Sequence, residues 1–480
     1  MVTRTLALAL STALLAACSV GPDYVRPDMP LPGQFVRAPD AAAAASDAPG
    51  VADTREFWRR LGDPVLDRIV DDVLASNRDL QAALANFDRA NALLRGARYD
   101  LLPTITAQAD ASRQRFSRDE GGDGSEVRSY SAQAVASWEI DVFGRVRRGV
   151  EAQRSEAWAA AADLDALQVS LVGEAVRTYV ELRGTQERLR VARENAANQQ
   201  ESLRIVQVRV DAGRDNDFDL VRSRSLLEAT RARIPALEAV EGAAMHRLGV
   251  LTGRTPDALV ATLAEVAPIP AVRATLDGET PASVVRRRPD IAAAEHRLHA
   301  ATARIGIATA DLFPRLTLGG LIGSQAVDAG ALFESGSGTR LVALGIDWSF
   351  LDIGRVRARI RAADAGADAA LSQYQQAVLL ALEDTETALL RHRRTEDEAA
   401  RLAQAAADSA RAAELARLRY RAGAADLLEV LDADRVRLQA EDALADARTR
   451  AAASGVGVYR ALAGGWPERA VRSPVLARGR

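Results

Sequence analysis

His296 and His299 lie three residues apart beside Glu295, a spacing at which two imidazoles on one helix face can share a metal ion. The set stops there. No cysteine is near, and His246 and His392 are distant in sequence, so a solvated helix face accounts for the pair better than a metal centre. Asp141-Val142-Phe143-Gly144-Arg145 contains a glycine but no phosphate loop of the GxxxxGK[ST] type, and nothing resembles a nucleophile elbow. With no catalytic constellation, the chain reads as a non-enzyme without a metal or cofactor. The one side chain that invites covalent chemistry is Cys18. As the only cysteine it excludes an intrachain disulfide. It follows Leu15-Ala16-Ala17 at the end of an apolar run, Leu6 to Ala17, preceded by the single positive charge of Arg4. The run is too short to span a bilayer and has the layout of a secretory signal, residues 1–17. Its last residues read as a bacterial lipobox, so cleavage before Cys18 leaves that cysteine to carry an N-terminal lipid (diacylglycerol and fatty acyl). An ordinary signal with an incidental cysteine is the plainer alternative. Ser19, where an aspartate would favour inner-membrane retention, fits sorting to the outer membrane.

The elements that position these groups follow from a duplication. Phe143-Gly144-Arg145-Val146-Arg147 recurs as Ile353-Gly354-Arg355-Val356-Arg357, and Arg209-Val210-Asp211-Ala212-Gly213 as Arg419-Tyr420-Arg421-Ala422-Gly423. Asn77-Arg78-Asp79-Leu80 answers to Arg288-Pro289-Asp290-Ile291, and Pro103 to Pro314. A near-constant offset over most of the chain means two copies of one large unit, not a short solenoid repeat. The repeats are expected over 63–253 and 282–466. An extended, proline-rich tail over 18–62 precedes them, a linker over 254–281 joins them, and a C-terminal tail covers 467–480. The net charge of −3 and the lack of a basic stripe argue against nucleic acid. No later stretch is apolar enough for a transmembrane helix, so a membrane role has to come from the lipid or from β-strands.

No proline occurs between Pro103 and Pro235 or between Pro314 and Pro467, and those windows are rich in Ala, Leu, Arg, Glu and Gln. Each copy is therefore expected to hold a short helix, then a long helix over 145–211 or 355–421, roughly 100 Å at 1.5 Å per residue. Gly213 and Gly423 supply the positive φ that stops each long helix, and return helices follow over 217–251 and 426–462. Pro235 should kink the first of these. The seam Leu164, Leu167, Leu171, Ala175, Thr178, Leu182 is thin and alanine-rich. It leaves little for the core of a single chain and points to neighbouring helices from other subunits.

Between short and long helix the period changes to two. Ile105, Ala107, Ala109 and Ala111 alternate with polar residues, and so do Tyr130, Ala132, Ala134, Ala136, Trp138 and Ile140. Copy two repeats this with Leu316, Leu318, Gly320 and Ile322, then Val342, Leu344, Ile346, Trp348 and Phe350. Hairpins are expected over 104–141 and 315–350. Segments of about ten residues with one apolar face are the signature of transmembrane strands; a pair of soluble, half-buried hairpins shows the same alternation. Four strands cannot seal themselves in lipid, because open edges leave backbone groups unpaired. If they cross a membrane, several copies must share one barrel: three copies supply twelve strands, and two or four are arithmetically possible.

Taken in order, Cys18-Ser19-Val20-Gly21-Pro22-Asp23-Tyr24-Val25-Arg26-Pro27, Phe57-Trp58, Arg287-Arg288-Pro289-Asp290-Ile291, Phe313-Pro314 and Tyr420-Arg421-Ala422-Gly423 resemble the outer-membrane factors of tripartite efflux and secretion systems. This is the TolC-like family, in particular its lipoprotein branch similar to OprM and CusC. The resemblance covers essentially the whole chain. It implies an internally duplicated α+β membrane protein: four β-strands per protomer in a shared trimeric barrel, long α-helical coiled-coil hairpins forming a periplasmic tunnel, and a collar built from the chain ends and the linker. It implies a homotrimer in the bacterial outer membrane, in contact with its lipid, with a periplasmic adaptor and an inner-membrane transporter, of RND type, as partners. It also implies a gate at the helical tips. By position Tyr420 matches the constriction tyrosine, Glu429 and Asp432 match acids of the narrowest ring, and Asp219 matches an acid of the first copy. Clustered carboxylates in a narrow pore favour cations and raise one another's pKa. Ala425 replaces a basic residue that ties the gate shut in some members, which leaves Arg421 or Arg214 to serve. For Asp215, Asp217 and Asp426, helix capping is the simpler role. The expected function is a passive exit duct for drugs or toxic solutes; a type I secretion duct, or a periplasmic coiled-coil lipoprotein with a structural or adaptor role, remains the alternative.

Overall fold

The computed structural model describes residues 19–36, 54–119, 124–213, 216–272 and 280–462. The signal segment, Cys18, Arg214, Asp215 and the C-terminal tail lie outside the described residues. In order, the elements are α1 (Pro64–Ser76), α2 (Arg78–Tyr99), β1 (Thr104–Arg115), β2 (Glu126–Ile140), α3 (Arg145–Asp211), α4 (Asp217–Arg231), α5 (Arg233–Leu251), α6 (Val260–Leu263), α7 (Pro281–Arg287), α8 (Pro289–Ala310), β3 (Arg315–Ala326), β4 (Gly338–Asp347), α9 (Ile353–Arg421) and α10 (Leu427–Ala461).

The chain divides into two compact units. The first gathers Met1–Met29, Ala85–Ala162 and Ala292–Ala377 and contains the sheet. The two hairpins are not separate: β2 pairs with β3, giving one antiparallel sheet in the order β1-β2-β3-β4. Its register brings the apolar sets of all four strands onto one face, since partners in a ladder point the same way. Ile105 faces Ala136, which faces Gly320, which faces Val342; on β2, β3 and β4 Trp138, Leu318 and Leu344 line up likewise. The other face carries Gln108 and Gln133, whose side chains bond at 3.3 Å, but also an apolar row of Val135, Leu321 and Leu341 that strict alternation does not anticipate. The outer edges of β1 and β4 have no partner strand among the described residues. The two tryptophans at the strand ends repeat one contact: Trp138 Nε1 donates to the Leu101 carbonyl and Trp348 Nε1 to that of Leu312, both at 3.0 Å.

The second unit comprises Pro30–Leu84, Asp163–Ile291 and Val378–Arg480. It holds a substantial core, which corrects the expectation of a thin seam. Phe57, Trp58, Leu66, Val70 and Val73 pack with Leu171, Val172, Val176, Tyr179 and Leu182 of α3, Leu248 and Leu251 of α5, and Val456 and Tyr459 of α10. The Phe57 and Tyr459 rings stack at 4.5 Å. Leu263 of α6 and Val272 join this core, so the segment between repeats is packed and not a bare linker. Segments remote in sequence cover α3 on several sides, and no local periodicity reports that.

Each expected short helix is two helices. Asn77 is extended (φ −60°, ψ 133°), ends α1 and accepts the Leu80 N–H at 3.0 Å as the cap of α2, while its amide donates to the Leu251 carbonyl at 2.9 Å. Arg288 is extended because Pro289 follows it. The first return helix breaks at Ala232: Pro235 has no N–H for the Arg231 carbonyl. α10, with Ala445 at the corresponding place, runs unbroken.

Candidate functional site

The tips of the two helical hairpins lie in the second unit. Gly213 (φ 68°) and Gly423 (φ 76°) turn the chain after α3 and α9. At the second tip the Gly423 N–H donates to the Tyr420 carbonyl at 3.0 Å and the Ala424 N–H to that of Arg419 at 2.8 Å, closing the last turn of α9. Asp426 caps α10 by accepting the Glu429 N–H at 2.9 Å. At the first tip the cap is Asn216, which accepts from the Asp219 N–H at 3.0 Å; Asp217 is the first residue of α4. Capping was expected of Asp217, but Asp217 is already helical, and Asn216, in extended backbone just before it, takes that place.

Tyr420 is half-buried. It packs beside Val206, Leu220, Leu427 and Leu431, and the guanidinium of Arg209 lies 4.8 Å from its ring centre. It therefore joins the two hairpins of one chain. Glu429 stands in the first turn of α10, three residues past the cap, and pairs with Arg419 Nη1 at 2.6 Å. Arg419 also reaches the Ala424 carbonyl at 3.4 Å. Arg419 thus bridges α9 and α10 of one chain across the tip. Asp432 pairs with Arg435 one turn on, at 2.7 Å. Asp219 is half-buried in the first turn of α4. The structure thus gathers Tyr420, Glu429 and Asp432 at one tip together with two arginines that sequence reasoning missed. The Asp432–Arg435 pair could have been found from its i, i+3 spacing; Arg419 and Glu429, on either side of a turn, carry no such signal.

The histidines do different work from either reading. In the first unit His299 Nε2 lies 2.9 Å from Glu151 Oε1 and its ring stacks on Tyr24 at 4.4 Å. Burial pushes the Glu151 carboxyl up, but hydrogen bonds from Arg148 and His299 prevail and hold it below the usual range. His296 tilts over Trp158 at 5.5 Å. Neither side chain lies on a solvated face, and the described residues contain no group of three or more metal-ligating side chains. The tail after Cys18 is fastened here too: the Val20 N–H donates to the Phe143 carbonyl at 3.1 Å, and Arg148 pairs with Asp23 at 2.6 Å.

A family model described as outer membrane efflux protein matches residues 69–254 and 280–464, one match for each repeat. The chain belongs to the outer membrane efflux protein family. It is 33% identical over 476 residues to the outer membrane protein OprJ of Pseudomonas aeruginosa, covering 97% of this chain and 96% of OprJ. It is also 33% identical over 469 residues to the pyoverdine export outer membrane protein OpmQ of Pseudomonas putida, covering 96% and 97%. Its fold matches the solved outer-membrane channel OprN with a TM-score of 0.87 at 38% identity, over 94% of this chain and 100% of that one. As a member of this family it resides in the outer membrane and acts in efflux as a channel component, with the α+β, internally duplicated fold of these channels.

Proposed function

We propose that three copies of the chain form the outer-membrane exit duct of a tripartite efflux pump, gated at the tips by Tyr420, Glu429, Asp432 and Asp219. The carrying observation is the sheet. Among the described residues four strands with an apolar face end in two unpaired edges, β1 and β4, which lipid does not tolerate. Closing β4 of one copy onto β1 of the next removes every edge. A periplasmic adaptor and an inner-membrane transporter of RND type complete the pump. Cys18, acylated, fastens each copy to the membrane in which the barrel sits. Transport through the duct is passive and little selective, and the transporter selects the cargo. Bilayer recordings of the purified protein test the gate. Tyr420→Ala, Glu429→Gln and Asp432→Ala are expected to raise conductance or weaken cation preference with trimer yield unchanged; unaltered recordings for all three contradict the assignment.

A further inference from the structure

One ion pair near the second tip differs from its neighbours. Arg417 of α9 and Asp434 of α10 meet at 2.8 Å, with Asp434 only 4% exposed, whereas the Arg419–Glu429 and Arg435–Asp432 pairs lie in solvent. The pair is half satisfied: Arg417 is half-buried as a whole, but its Nε and Asp434 Oδ2 are buried and have no hydrogen-bond partner among the described residues. A carboxylate taken from water, facing one buried edge of a guanidinium, gives up hydration that a single bond does not restore. The corresponding residues of the first repeat, Gln207 and Arg224, cannot form such a pair; Gln207 bonds Asp211 on its own helix.

We propose that Arg417 and Asp434 are a positioning pair that latches α9 to α10 behind the gate, and that acid tightens this latch instead of releasing it. The proposal rests on the reading of the tips as a gate. Parting the helices hydrates both orphaned atoms. That gain offsets much of the lost charge attraction, so the latched arrangement is only marginally favoured at neutral pH. Burial, the largest influence, makes Asp434 hold a proton more tightly than an ordinary aspartate; Arg417 and Arg437 oppose this and Glu441 adds to it. The side chains that α3 and α4 bring to the neighbouring cluster, Leu203, Val206, Leu220 and Leu226, are apolar. The carboxyl is therefore more readily protonated with the helices together than apart. Its contribution to the latched state is present in full below the ordinary aspartate range and is lost as pH rises through the higher latched value.

The test uses the full chain carrying Val430→Cys as reporter, because Val430 on α10 is 3% exposed and reacts with a maleimide only when the helices part. At about pH 7, Arg417→Met leaves a buried, unpaired carboxylate and should speed labelling roughly tenfold. Asp434→Asn, which mimics the protonated acid, should label no faster than the reporter alone, and Arg417→Met with Asp434→Leu should return to the reporter rate. In bilayer recordings the unaltered protein should close on acidification; Asp434→Asn should flatten that closure, while Asp432→Asn should retain it. Asp434→Asn labelling as fast as Arg417→Met, or one rate for every variant, overturns the latch. Labelling in the predicted order with conductance unmoved upholds the latch and sinks the gate reading instead.

Discussion

α3 and α9 occupy equivalent places in the two repeats and differ in what covers them. Between Val172 and Gln186, α3 buries Val172, Ala175, Val176, Tyr179, Val180, Leu182, Arg183 and Gln186, residues from more than one of its faces. Over the equivalent stretch α9 buries Thr385, Leu389 and His392, a single stripe, and it leaves Leu379, Leu380, Leu390, Leu415 and Leu418 exposed. The sheet repeats the contrast: β2 and β3 are paired on both sides, β1 and β4 on one. Duplicated sequence has thus produced one copy of the long helix completed within the chain and one that presents an apolar surface outward. Large exposed apolar surface marks a contact site, and an open strand edge is a template for pairing. Both unfinished features are met if the missing partner is another copy of the same chain.

The contrast can be broken from the α3 side first. Val176 is fully buried, and Val176→Asp puts an unpaired carboxylate into the core; no folded protein should be recovered from membranes, whatever the oligomer. Leu182→Ala removes a fully buried side chain and should cost about 2–5 kcal/mol, read as a lowered melting temperature. On the α9 side the loss should be of assembly and not of fold. Leu380→Ser is expected to leave helix content and the secondary structure of the single chain intact while shifting the detergent-extracted particle towards smaller oligomers. Leu344→Pro in the edge strand β4 should do the same by removing one N–H from the outer ladder. If Leu380→Ser lowers the melting temperature of the single chain as much as Leu182→Ala does, the distinction between the helices is wrong.

The smallest expected effect is a pH dependence in the first unit. Burial against Trp158 holds the His296 imidazole below the ordinary histidine range, His299 adds to this and Glu295 opposes it. The folded state binds the proton less readily than the unfolded chain. The stability this residue contributes is complete above the ordinary histidine range and is lost as pH falls through the lower folded value. Melting curves across that range should fall less steeply on the acid side for His296→Phe.

Much of this architecture is legible in the residues because its signals are local. A glycine with positive φ has few substitutes, so Gly213 and Gly423 mark the tips. The two-residue period of Tyr130 to Ile140 sets which face of β2 is apolar. Pro289 carries a local signal for the break before α8 that the expectation of one short helix passed over. Partners chosen across space are not legible in this way. The Tyr179 hydroxyl donates to Asp63 at 2.5 Å over a separation of 116 residues, and Asn77 reaches Leu251 over 174. Nothing in the neighbourhood of α3 reveals that Phe57, Trp58 and α5 enclose it. At the tip the acids could be placed by resemblance, but their arginines could not. Arg419 meets Glu429 only because Gly423 reverses the chain between them, and Arg417 meets Asp434 only because the two helices lie side by side.

Native mass spectrometry of the detergent-extracted protein tests the central claim most directly, because among the described residues the sheet of one chain has two open edges, which further copies would close. The account predicts a particle of three chains, each carrying acyl groups on Cys18. A particle of one chain that keeps its β-structure would contradict it.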